Sequence, residues 1–149
     1  MSRRLAREAA MCLLYEQEVA GEPGDNTLQE MKDVLKTDKI LETQKEYLDD
    51  IKQKYEQNKE MIDGQITEYS NSWKIERISK VDLSILRLAL TEIFFIDNIP
   101  YKVTVNEAVE LAKKYSQDTS PKFINGILGG ILEDKKFTDW KEHGQRDKE

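Results

Sequence analysis

Apolar residues recur at steps of three and four through most of the chain, and the stripes they form predict a succession of helices. Leu5, Ala9, Cys12 and Leu13, with Glu16 continuing the step, describe an amphipathic helix with Ser2 available as its N-cap and "GEPGDN" closing it. A shorter, weakly patterned helix is expected around Leu28, Met31 and Leu35. Leu48, Ile51, Tyr55, Ile62, Ile66, Tyr69 and Trp73 then keep a heptad-like register, with Asn58 filling the skipped position. Such a stripe suits either a coiled coil or two helices broken near Asn58 that line one bundle, and we take the bundle.

The stretch "SKVDLSILRLALTEIFFID" is apolar on more than one face through Leu83, Leu86, Leu90, Ile93 and Phe94, which marks it as the central, most buried helix. Ser79 and Asp82 form a capping-box pattern at its start, and Thr104 with Glu107 repeats the pattern after the break at "DNIPY". That second pattern opens "TVNEAVELAKKYS", whose Ala108, Leu111, Ala112 and Tyr115 are expected to face inward. Ser120 stands before Pro121 as a third start, and Phe123, Ile127, Leu128 and Ile131 make the last core stripe. Gly126 with Gly129 or Gly130 is expected to let another helix approach closely, since each glycine costs a helix about 1 kcal/mol relative to Ala. From residue 133 onward charge dominates, so residues 133–149 are expected to fray, with Phe137 and Trp140 available to dock back.

Charge changes this picture at one place. The 149-residue chain has a formal net charge of −6, which argues against a nucleic-acid footprint over the whole surface but leaves room for a local basic patch. Arg3, Arg4 and Arg7 crowd the first two turns of the first helix, Arg3 and Arg7 on one face and Arg4 beside them. The helix macrodipole opposes cations there by a few tenths of a kcal/mol each, so something other than helix stability is expected to keep them. Cys12 is the single cysteine, which excludes an internal disulfide and fits a core thiol in a reducing cytoplasm. No run of about 18 apolar residues and no signal-peptide core is present, so the chain is expected to be neither membrane-spanning nor exported.

Candidate chemistry adds little. The only histidine, His143, lies in the polar tail, no serine or cysteine has an evident partner base, and no metal-ligand spacing appears; no catalytic role, metal or cofactor is expected. "GILGG" has the GxxG spacing of KH-domain loops, yet it sits inside an apolar stripe without flanking basic residues and reads as packing. The loop "SQDTSPK", residues 116–122, sets hydroxyls and Lys122 between two helix starts, where capping and anion binding are both open readings.

Taken together, "RRLARE", "VDLSILRLALTEI", "IPYKVTVNEAVELAKKYS" and "KFINGIL" resemble the NusB family of bacterial transcription antitermination factors, over most of residues 2–132. The specific part is "VNEAVELAKKY" followed about eight residues later by "KFINGIL"; the acidic middle and the charged tail match poorly. The resemblance implies an all-α fold of two small helical bundles packed roughly perpendicular, one NusB-like domain over 1–132 with a boundary near 73–79. It implies binding of the boxA element of nascent ribosomal RNA together with ribosomal protein NusE, within an antitermination complex on RNA polymerase. On the family pattern Arg3, Arg4 and Arg7 match an arginine-rich RNA-binding motif, with Leu5 where some members carry a further arginine. Tyr15 matches a nearby aromatic, Thr119, Ser120, Lys122 and Phe123 match a second RNA-facing loop, and Asp82 matches the side that meets NusE. Tyr15 reads equally as a core residue or a stacking platform. The alternative use of the first helix is as the interface of a homodimer, or as a general RNA-docking adaptor.

Overall fold

The computed structural model describes residues 2–20, 43–71 and 74–144, all of them in helices, turns and short connections. Seven α-helices are found among them: α1 (Ser2–Ala20), α2 (Lys45–Gln57), α3 (Lys59–Tyr69), α4 (Lys80–Phe95), α5 (Tyr101–Tyr115), α6 (Ser120–Glu133) and α7 (Lys135–Asp139). A 3₁₀ turn at Ile75–Arg77 precedes α4, and a π-helical turn at Trp140–Gly144 follows α7. The all-α expectation holds, and none of the described helices is long and apolar enough to cross a membrane. The segment "GEPGDN", the helix expected around Leu28, Met31 and Leu35, and Trp73 lie outside the described residues.

The heptad-like stripe resolves into two helices. α2 and α3 meet at Asn58, the one residue between them, and Leu48, Ile51, Tyr55, Ile62 and Ile66 are all buried. α4 is the central helix, as its two-faced apolar pattern predicts: every residue from Asp82 to Phe94 is buried, and it packs against α1, α2, α3, α5 and α6. Burying that many positions includes polar ones, and each has partners, as buried polar groups require. The Ser84 and Thr91 hydroxyls donate to the backbone carbonyls of Lys80 and Arg87. Arg87 reaches Asp63 on α3 through two bonds of 3.0 Å and Glu18 on α1 through one of 2.9 Å.

Helix starts depart from the sequence reading in instructive ways. Ser79 caps α4, its hydroxyl accepting from the Asp82 N–H at 3.2 Å, but the reciprocal half of the capping box is absent because the Asp82 carboxylate turns to other partners. α5 begins at Tyr101 behind Pro100, so Thr104 is not its cap but a buried residue one turn inside it. α6 has Thr119 at its N-cap position and Ser120 as its first helical residue, so it starts one place earlier than expected.

Two other expectations are corrected. Residues 135–144 are helical and docked rather than frayed: Phe137 is buried, with its ring edge-on to Phe94 at 5.2 Å, and Trp140 meets Phe94 at 4.9 Å. Aromatic burial of this kind offsets the cost of ordering the polar residues around it. Among the glycines of α6, only Gly130 lies where a side chain would be crowded, 3.2 Å from the Tyr69 ring; Gly126 and Gly129 have nothing within 4 Å. Cys12 is half-buried, and burial pushes its thiol pKa up.

Candidate nucleic-acid interface

α1 packs on α4 and buries the small residues Ala6, Ala9 and Ala10, which are at most 1% exposed. From that seat the three arginines go to three different destinations. Arg3 leans over α2, its Nε donating to Gln44 Oε1 at 2.6 Å and its guanidinium lying 4.2 Å from the centre of the Tyr47 ring. Arg4 points the other way, over α5, where Nε and Nη2 donate to the two Glu107 carboxylate oxygens at 3.1 and 2.9 Å. Its side chain is 65% exposed all the same.

Arg7, expected among the RNA-facing residues, is buried instead. Its Nε and Nη2 each donate to a Glu92 carboxylate oxygen at 2.8 Å, and Glu92 also accepts from the Tyr47 hydroxyl at 2.6 Å and from the Thr104 hydroxyl at 3.0 Å. Burial pulls the Arg7 pKa down, but the hydrogen bonds and charge of Glu92 outweigh it and raise it overall, so the guanidinium stays charged. Burial and the adjoining Glu92 charge both hold the Tyr47 phenol far above its ordinary range. Arg3 and Arg7 do share a face, as their spacing predicts, but it is the face turned toward α2 and α4.

On the α5 side the residues of α1 and α5 cross-link the surface. Glu8, one turn beyond Arg4, accepts from Lys114 Nζ at 2.6 Å and from the Tyr115 hydroxyl at 3.0 Å. Two adjoining hollows of about 300 and 510 Å³ lie between the helices and share Arg4, Glu8, Glu107 and Lys114. Tyr115, expected on the inner face of α5, is 43% exposed, and Tyr15 is 40% exposed, which decides against a core role for it. Neither Lys114 nor Tyr115 was singled out from the sequence as a surface element; the signal was the "KKY" that ends α5, where side chains leave the stripe set by Ala108, Leu111 and Ala112.

The second candidate region starts where α5 stops. Both Asp82 carboxylate oxygens are engaged, one accepting from the Ser116 hydroxyl at 2.5 Å and the other from the Ser120 hydroxyl at 2.9 Å. This pins the 116–120 loop to the first turn of α4. Thr119 is exposed on it and Lys122 is exposed in the first turn of α6, Phe123 is half-buried, and a hollow of about 430 Å³ is lined by Arg77, Ser79, Asp82, Thr119, Ser120 and Phe123. One sequence expectation changes here. Ser120 is 2% exposed and holds the loop rather than facing solvent, and Asp82 is 8% exposed, with each of its carboxylate oxygens accepting from one of the two serines. Among the described residues no cluster of histidine, cysteine and carboxylate side chains is arranged to hold a metal.

Comparison with known proteins agrees with this architecture. A model of the NusB family matches residues 4–133. The transcription antitermination protein NusB of Alkaliphilus oremlandii is 47% identical over 133 residues, covering 89% of this chain and 94% of that protein. Of solved structures, T. maritima NusB is 35% identical with a TM-score of 0.74, covering 92% of this chain and 96% of that one. A chain in the crystal structure of antitermination factors NusB and NusE in complex with dsRNA is 26% identical with a TM-score of 0.72, covering 87% of this chain and 94% of that one.

Proposed function

The chain belongs to the NusB family, and we propose that it is an RNA-binding transcription antitermination factor that engages the boxA element of nascent ribosomal RNA together with ribosomal protein NusE. In this reading it works in the cytoplasm as part of the antitermination complex on RNA polymerase, and it acts by binding, with no chemical step. The observation that carries the reading is the exposed, oriented cation of Arg4, held by Glu107 over the hollows between α1 and α5. An otherwise acidic protein has a reason to keep that arrangement if phosphates pass over it.

The RNA-facing set is Arg3, Arg4, Tyr15, Thr119, Lys122 and Phe123, of which exposure supports Arg4, Tyr15, Thr119 and Lys122 while Arg3 and Phe123 are half-buried. Guanidinium and ammonium groups take phosphates, and exposed aromatic rings take unstacked bases. The burial of Arg7, Ser120 and Asp82 supports a different part for these three: they hold α1 and the loop in the shape the RNA meets. A carboxylate committed to two serines is a poor candidate for direct contact with NusE.

Titration of a labelled boxA RNA, as a single strand and as a duplex, with the protein alone and with NusE, tests the proposal. Binding that tightens when NusE is added is the expected result. No binding of either RNA form, with or without NusE, overturns it.

A further inference from the structure

The proposed RNA residues fall into two groups, one on α1 and one on the 116–123 loop, and what lies between them is the C-terminal end of α5. Lys114 and Tyr115 are both anchored on Glu8 of α1, and the next residue, Ser116, is anchored on Asp82. The two residues therefore bridge the groups in space as well as along the chain. We propose, resting on the RNA-binding reading above, that Lys114 and Tyr115 are RNA-contacting residues that join the Arg4 face of α1 and the 116–123 loop into one continuous track for a single strand.

Three features of the site fit a strand. Tyr115 keeps a 43% exposed surface while its hydroxyl is tied to Glu8, so the ring is oriented before a ligand arrives. Lys114 Nζ stands 5.2 Å from the centre of that ring, which sets a cation beside an aromatic face, the pairing that non-specific single-strand grooves use. Tyr15 follows Glu8 by seven residues on the same edge of α1, about 10 Å farther along the axis, and supplies a second exposed ring.

The acids in the groove do not disqualify it. Glu8, Glu107 and Glu110 all line it, and Lys114 and Arg4 are paired with the first two. Yet an ammonium carries three donors and a guanidinium five. The Lys114 side chain is 61% exposed and that of Arg4 65% exposed, so each presents donors beyond those its carboxylate takes. The carboxylates fix where the cations stand, and they leave the groove too weakly positive to hold polyanions without base contacts.

The test uses the full chain with single-stranded boxA RNA, each variant compared at matched folded fraction. Tyr115→Leu is expected to bind about tenfold more weakly, the size of one lost base stack, whereas Tyr115→Phe, which keeps the ring, stays near wild type. Lys114→Gln is expected to flatten the slope of log K against log salt by about 0.7, and Lys136→Gln, the same charge change on α7, leaves it unchanged. If Arg4→Ala weakens binding while Tyr115→Leu and Lys114→Gln do not, the track is wrong and the RNA-binding reading stands. Equal losses for Tyr115→Phe and Tyr115→Leu assign the effect to the Glu8 tether and overturn the stacking role of the ring. If wild type binds no RNA, the broader reading has failed.

Discussion

Arg7 and Glu92 stand 85 residues apart in sequence and face each other through two bonds of 2.8 Å, with side chains 7% and 1% exposed. A pair this deep is costly to break from one side, because the survivor is left as an uncompensated buried charge. Arg7→Ala is therefore expected to destabilise the protein by about 3 to 5 kcal/mol. The double variant Arg7→Met/Glu92→Leu should recover only part of that loss, because it leaves the buried Tyr47 and Thr104 hydroxyls without their acceptor. Denaturant titration of the three proteins checks both statements, and a loss below about 1 kcal/mol for Arg7→Ala would return Arg7 to the surface role its sequence context suggests.

Arg4 gives the opposite expectation. Its exposure predicts little change in stability but a salt slope about 0.7 shallower for Arg4→Ala, one phosphate contact fewer. Affinities measured across a salt series decide this. An unchanged slope for both Arg4→Ala and Arg3→Ala would move the RNA site off α1.

Asp82→Ala leaves two serine hydroxyls without their charged acceptor, and a cost of about 2 kcal/mol is expected, with faster amide exchange confined to residues 116–120. RNA affinity should fall with it, since the loop carries Thr119 and leads into Lys122. A variant of unchanged stability and RNA affinity that loses only NusE would instead place Asp82 at the partner interface.

Acid should weaken the α1 contacts in a definite window. The hydrogen bonds and charge of Arg4 lower the Glu107 pKa from its ordinary 4.5. For Glu18, partial burial pushes the value up, but the bonds and charges of Arg87 and Lys80 prevail and lower it below the same 4.5. Groups depressed on folding stabilise the protein above their unfolded pKa, and the benefit is lost as pH falls through the folded values. Melting temperature should thus drop as pH is lowered from 4.5, and the gap between wild type and Arg4→Ala should close in the same interval. A gap that stays constant down to about pH 2, well below the ordinary carboxylate range, would show that the Arg4 pair contributes nothing through ionisation.

Much of the fold was legible in the sequence because apolar periodicity reports burial directly: the two-faced helix from Lys80 to Phe95 follows from spacing alone, whereas the heptad-like stripe suited a continuous coil and a break at Asn58 equally. Helix starts were harder. Thr104 and Glu107 have the residue types of a capping box, but Pro100 starts the helix earlier and both side chains serve α1 and α4 instead. The arginines show the same limit. Spacing places Arg3 and Arg7 on one face correctly, yet whether that face meets solvent depends on Tyr47 and Glu92, which are remote in sequence. Tyr115 was assigned to the core for continuing a stripe by one more step, and a helix end is where such steps stop being reliable.

The Glu92 cluster also constrains when the molecule becomes functional. Its donors come from α1, α2 and α5 and its acceptor from α4, so the cluster that seats α1 is complete only once residues through Thr104 have been made. Closing a loop that long is entropically slow compared with forming local helix pairs. The α1 surface is consequently finished late, and a nascent or truncated chain lacking α4 and α5 should leave the Arg7 guanidinium without Glu92 and open to any polyanion nearby. Such a chain would bind nucleic acid indiscriminately, and selectivity would arrive only with the completion of the fold.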